Sequence, residues 1–114
     1  MTETELVRAC LELLKLRGVL CWRQNTGALP QIYRGKKRYI RFGVKGMSDI
    51  VGILPGGRII CVECKLPGGK LSEDQERFLR LVAQQGGLAL VVRDLDELVR
   101  GLHGEIEAQS KAEG

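Results

Sequence analysis

Long apolar runs are missing from this 114-residue chain. None approaches the ~20 residues that a membrane span needs, so no membrane association is expected. Aromatic residues are scarce, at 4%, which weighs against a broad platform for stacking unpaired bases. The opening Met1-Thr2-Glu3-Thr4-Glu5 is acidic and has no apolar core. It does not read as a secretory signal, and a cytoplasmic location is the expectation. Acids are absent altogether between Glu12 and Asp49. What is present has the balance of an ordinary folded domain, 44% hydrophobic and 28% charged. A chain of 12.6 kDa has room for one core. These features exclude a membrane protein, a coiled-coil rod and a multidomain enzyme.

The net charge is +4, but the charge is unevenly spread. The acid-free stretch carries Lys15, Arg17, Arg23, Arg34, Lys36, Lys37, Arg38, Arg41 and Lys45, half of all the basic residues. Such a segment suits a polyanion, because each neutralised phosphate releases counterions. The plainer reading is a solvated loop that keeps the protein soluble. Arg34, Lys36, Lys37, Arg38, Arg41 and Lys45 are the candidate phosphate contacts. Nothing in the sequence reads base edges in a duplex groove, so recognition of shape and backbone is expected.

Cys10, Cys21, Cys61 and Cys64 are expected to be reduced thiols. Cys61 and Cys64 form a Cys-x-x-Cys pair, but the run Arg58–Lys65 reads as a strand. Residues three apart on a strand point to opposite faces. A redox pair wants a turn entering a helix, and no second Cys or His pair completes a zinc site. Buried core cysteines are the expected outcome.

The apolar spacing predicts a helix over 3–17, opened by a Thr2–Glu5 capping box and ended at Gly18. A strand follows at 19–24, then a long irregular basic stretch with one candidate strand at 39–42. Strands at 49–54 and 58–65, joined by Pro55-Gly56-Gly57, form an antiparallel hairpin. The second is apolar on both faces and reads as central. Ser72, with Gln75 three residues on, opens the next helix. Leu88–Val92 returns as a strand parallel to 58–65 through a right-handed crossover. Asp94 caps a short last helix, and a frayed tail is expected from 104 to 114 after a single domain at 1–103. The fold class is α/β, a mixed sheet flanked by helices. His103 is expected at the surface. Trp22 is expected in the core or an interface, and Gln24 in strand-end hydrogen bonding.

Glu63 and Lys65 are two apart on one strand and share a face. Asp49 begins the partner strand about as far from the turn as Glu63. Two carboxylates and an ammonium are thus expected at one end of the sheet. Carboxylates so placed suit a hard divalent cation. Such an ion acidifies water and clamps the oxygens of an in-line displacement. A solvated Glu–Lys pair is the bland alternative. The apolar strand around them makes the two charges costly without a function.

Gly46-Met47-Ser48-Asp49, then Glu63-Cys64-Lys65, then Leu71-Ser72-Glu73-Asp74-Gln75 resembles the VRR-NUC domain family of the PD-(D/E)XK nuclease superfamily. The resemblance runs from about residue 3 to 99, and the chain is similar to the short stand-alone forms of phages and bacteria. It implies a restriction-endonuclease-like core and metal-dependent cleavage of DNA in a bacterial cell or phage-infected host. By position, Asp49 and Glu63 would ligate Mg²⁺ or Mn²⁺ with the backbone carbonyl of Cys64. Lys65 would position the attacking water, and Gln75 would sit near the metal or scissile phosphate. Glu5 matches an acid that can reach the metal, and reads equally as the cap partner of Thr2. Gln75 likewise reads also as the cap partner of Ser72. The family usually has proline where Ser48 stands. The short forms are similar to homodimers that cut branched DNA such as four-way (Holliday) junctions. The alternative is a non-catalytic nucleic-acid-binding subunit using residues 34–45, and a thiol redox protein is a third reading.

Overall fold

The computed structural model describes the backbone of residues 1–24, 28–33, 36–41 and 44–113, and the side chains of 1–24 and 44–104. The order is α1 (Glu3–Leu16), β1 (Leu20–Arg23), β2 (Ala28–Tyr33), β3 (Lys36–Arg41), β4 (Ile50–Ile53), β5 (Ile59–Cys64), α2 (Glu73–Gln84), β6 (Leu88–Val92) and α3 (Leu95–Glu113). β1, β4, β5 and β6 lie side by side in that order. β1–β4 and β4–β5 are antiparallel, and β5–β6 is parallel. This is the expected mixed sheet, with β5 inside it.

The sheet is covered on both faces. Alternation along β5 sends Ile60, Val62 and Cys64 to one face, where Leu6, Cys10 and Leu14 of α1 and Leu98 and Leu102 of α3 pack. Cys61 goes to the other face, with Val51 of β4 and Leu79 of α2, flanked by Phe78 and Val82. The Cys61–Cys64 pair is therefore split between two cores, and all four cysteines are buried free thiols. The α2 side is not fully covered. Leu20, Ile53 and Ile59 stand in register across β1, β4 and β5 and remain exposed. No helix among the described residues is long and apolar enough to cross a membrane.

Helix ends follow the local chemistry. The Glu5 N–H donates to Thr2 Oγ1 at 3.1 Å. Asp94 Oδ1 accepts from the Glu97 N–H at 2.9 Å, and Glu97 Oε2 accepts from the Arg93 N–H at 3.2 Å. Two expectations need correction. The stretch after β1 holds an antiparallel ribbon, β2 against β3, where an irregular excursion with one strand was expected. Pairing with a close partner outweighs the poor strand propensity of a Lys- and Arg-rich segment. The last helix is not short: α3 continues through Glu113, past the position where a tail was expected. Residues 105–113 are mostly Glu, Ala, Gln and Lys, which sustain a helix once it has started.

Candidate active site

β4 and β5 are paired Ile50↔Val62 and Val51↔Cys61. One step further along this register, Asp49 stands opposite Glu63. Both residues alternate onto the α2 side, with Val51 and Cys61. Asp49 is held from both neighbouring strands. Its carbonyl accepts from the Gln24 N–H at 2.7 Å, which prolongs the β1–β4 ladder. Its Oδ2 accepts from the Cys64 N–H at 2.8 Å.

Glu63 is 3% exposed. Its Oε1 accepts from Gln75 Nε2 at 3.1 Å. Its Oε2 is buried without a hydrogen-bond partner. Gln75 does two jobs with one amide. Its Oε1 accepts from the Ser72 N–H at 2.9 Å, while its own N–H donates to Ser72 Oγ at 3.1 Å, completing the capping box. The amide nitrogen left over reaches Glu63. The cap reading of Gln75 is met in full, and the same side chain also bonds Glu63.

A buried carboxylate beside a second carboxylate resists ionisation. Burial is the largest influence on Glu63, followed by the charge of Asp49, and together with a proton that Glu63 can share with that carboxylate they push its pKa up to about 8. Lys65 and the Asp49 backbone act in the opposite direction. The Lys65 ammonium makes no ion pair within 4 Å among the described residues. Its stem lies against Gly69, and its field still favours the Glu63 anion.

The loop before Asp49 is pressed onto the first turn of α2. A Cβ on Gly46 would fall 2.2 Å from the Asp74 carbonyl oxygen, and Gly46 has φ +77°. Both facts demand glycine at this position. Lys45 Nζ meets Asp74 Oδ2 at 3.3 Å in the same contact. Ser48 is fully buried, and its hydroxyl donates to the Ile50 carbonyl at 2.8 Å. A hydrogen bond thus fixes the backbone where a proline ring would otherwise stiffen it.

The family model of the VRR-NUC domain matches residues 1–94. The chain belongs to this family. VRR-NUC domains are nuclease domains, which gives the protein a nuclease role on DNA. No curated protein and no solved structure matches the chain.

Of the expected site residues, Asp49, Glu63 and Gln75 are brought together, and Lys65 stands at the same strand end. Glu5 is not joined to them by any hydrogen bond or ion pair among the described residues. It is exposed on α1 and keeps its place in the helix start. No three His, Cys, Asp or Glu side chains among the described residues converge on a common point. The oxygens available to an ion are those of Asp49 and Glu63, with main-chain carbonyls. Lys36, Lys37, Arg38 and Arg41 lie on β3, with side chains outside the described residues, and Arg34 lies outside them altogether. Lys45 is engaged with Asp74. Trp22 is 42% exposed and donates its indole N–H to Gln24 Oε1 at 3.2 Å, so it is not a core residue. His103 is exposed, as expected. The sequence reading did not find the Cys64 N–H on Asp49 or the Gly46–Asp74 contact. The hairpin register could have signalled the first, but nothing local signalled the second.

Proposed function

We propose that this VRR-NUC protein is a divalent-metal-dependent endonuclease that cuts branched DNA, four-way junctions among its substrates, as a homodimer. The observation that carries the metal-dependent reading is Glu63 Oε2, which in the ionised form of the side chain is a buried carboxylate oxygen without a donor. An orphaned oxygen of this kind costs free energy unless a ligand satisfies it. Asp49 and Glu63, with the Cys64 carbonyl, are an all-oxygen donor set of the kind Mg²⁺ or Mn²⁺ takes along with waters and phosphate oxygens. Bound there, the ion would supply charge neutralisation at the scissile phosphate and acidify water.

The chain's own residues do the rest. The Cys64 N–H orients Asp49 through Oδ2, and Gln75 orients Glu63 through Oε1. Each carboxylate is thereby fixed while one oxygen stays available. Lys65, on the same face as Glu63, holds the attacking water or offsets negative charge as the phosphorus–oxygen bond is broken. The ribbon β2–β3 carries Lys36, Lys37, Arg38 and Arg41 for backbone phosphates. One chain has one such carboxylate pair among its described residues. Cutting two matched strands of a junction therefore calls for two copies related by a dyad.

The test is a panel of end-labelled substrates (linear duplex, flap, single strand, four-way junction) with Mg²⁺, Mn²⁺ or chelator. Metal-dependent cleavage is expected, greatest on the junction. Asp49→Ala and Glu63→Ala should each lose at least roughly a hundredfold in rate yet still bind DNA without metal. Cleavage at the wild-type rate in either variant overturns the assigned site. Binding without cleavage under every condition points to a non-catalytic subunit.

A further inference from the structure

Between α2 and the loop that precedes β4 lies a cleft of about 230 Å³, lined by Val44, Lys45, Asp74, Arg77, Phe78 and Leu81. Its place in the fold ties it to the carboxylates. Asp74 directly precedes Gln75, which bonds Glu63, and Val44 opens the loop that ends in Asp49. Gly46, in the same loop, lies close against Asp74. From Asp74 to Leu81 the cleft follows α2 for about 10 Å.

The lining has two parts. Val44, Phe78 and Leu81 form an apolar wall, with Val44 59% and Leu81 47% exposed. Lys45 and Arg77 stand at the rim. Lys45 is paired with Asp74, and both side chains of that pair reach solvent. Arg77 is exposed, and among the described residues it has no hydrogen bond or ion pair. A slot with an aromatic ring in its wall and cations at its rim matches a flat heterocycle attached to a phosphate.

We propose that this cleft receives one unpaired nucleobase of the strand being cut, with the adjoining phosphate on Arg77. This deepens the nuclease reading and rests on it. A base inside a duplex is stacked and cannot enter such a slot. A base at a branch point or in a single strand is already unstacked and enters at little cost. The Asp74 carboxylate at the rim can accept from an exocyclic amino group. The low aromatic content is no obstacle, since a slot for a single base needs only one ring.

The experiment uses the full chain in EDTA with a short single-stranded oligonucleotide carrying one 2-aminopurine. All other positions of that strand are abasic, and the comparison strands are the fully abasic oligonucleotide and the blunt duplex. Saturable 2-aminopurine fluorescence change is expected, with the single strand preferred over its abasic counterpart by roughly tenfold. Leu81→Ala, at an exposed helix position, should erase that preference while leaving the abasic strand and the duplex unaffected. Phe78→Leu should do the same. Arg77→Ala should weaken both single strands alike. Equal wild-type affinity for the two single strands overturns the proposal. So does a preference that survives Leu81→Ala and Phe78→Leu. A changed molecular mass in these variants with unaltered oligonucleotide binding would assign the cleft to a protein partner and also overturn it. If the nuclease reading fails instead, no substrate is cut in Mg²⁺ while the base-dependent binding remains.

Discussion

Glu63→Gln isolates the electrostatic cost of the site. The side chain keeps its shape, its amide oxygen can still accept from Gln75 Nε2, and its amide nitrogen can donate to Asp49. It therefore imitates the protonated acid. In the wild-type protein the Glu63 pKa rises from 4.5 to about 8 on folding, first through burial and then through Asp49. The folded state binds the proton more tightly than the unfolded chain. This group's contribution is therefore full below pH 4.5, declines as pH rises through the interval, and is gone above pH 8. At 1.36 kcal/mol per unit the loss is at most about 5 kcal/mol, a large part of a small domain's stability. Urea unfolding followed by circular dichroism in EDTA, at intervals between pH 5 and 9, measures it. The wild-type midpoint should fall with pH relative to that of Glu63→Gln, whose curve lacks this component. Addition of Mg²⁺ should stabilise the wild-type protein only, and more at pH 8 than at pH 6, because binding must displace the Glu63 proton. Parallel pH profiles in EDTA for the two proteins would refute the electrostatic argument.

Three further outcomes follow from other contacts. Gly46→Ala should cost roughly 2 kcal/mol or more in urea unfolding, since a positive φ and the Asp74 carbonyl both oppose a Cβ; an unchanged midpoint would mean that the loop does not press on α2. Gln75→Ala should cost about 1 kcal/mol through the lost cap, whereas Gln75→Glu keeps the cap and sets a third carboxylate beside Glu63. The pH profile of metal-dependent cleavage by Gln75→Glu should then move to higher pH, and an unmoved profile would show that residue 75 does not sense Glu63. Native protein should react slowly with a thiol reagent and expose four thiols on denaturation, whereas a fast-reacting thiol would revive the redox reading.

The parts of the fold set by short-range periodicity were readable beforehand. The apolar run of β5, interrupted only by Glu63 and followed by Lys65, announced both a central strand and a charged end. The Pro55-Gly56-Gly57 turn fixed the register that sets Asp49 opposite Glu63. Ser72 and Gln75 announced a helix start, but not that the same amide would also serve a carboxylate on β5. That depends on where α2 lands on the sheet, which no local spacing encodes. Glu5 shows the converse: its pattern fitted two roles, and among the described residues its side chain takes up neither, only its backbone N–H meeting Thr2. The β2–β3 ribbon was missed because Pro30 and the run of cations obscure the period-two signal. α3 was cut short in the reading because small and charged residues, Gly104 first among them, dominate from 104 on. A single glycine costs a helix only about 1 kcal/mol, which the flanking residues can absorb.

β5 lies between two neighbouring strands and two hydrophobic layers, so it belongs to the part of the molecule that opens last. Glu63 is carried by that strand and Asp49 is anchored to it through the Cys64 amide. Warming should therefore leave the carboxylate pair assembled until the whole domain melts. Thermal inactivation should coincide with cooperative unfolding rather than precede it.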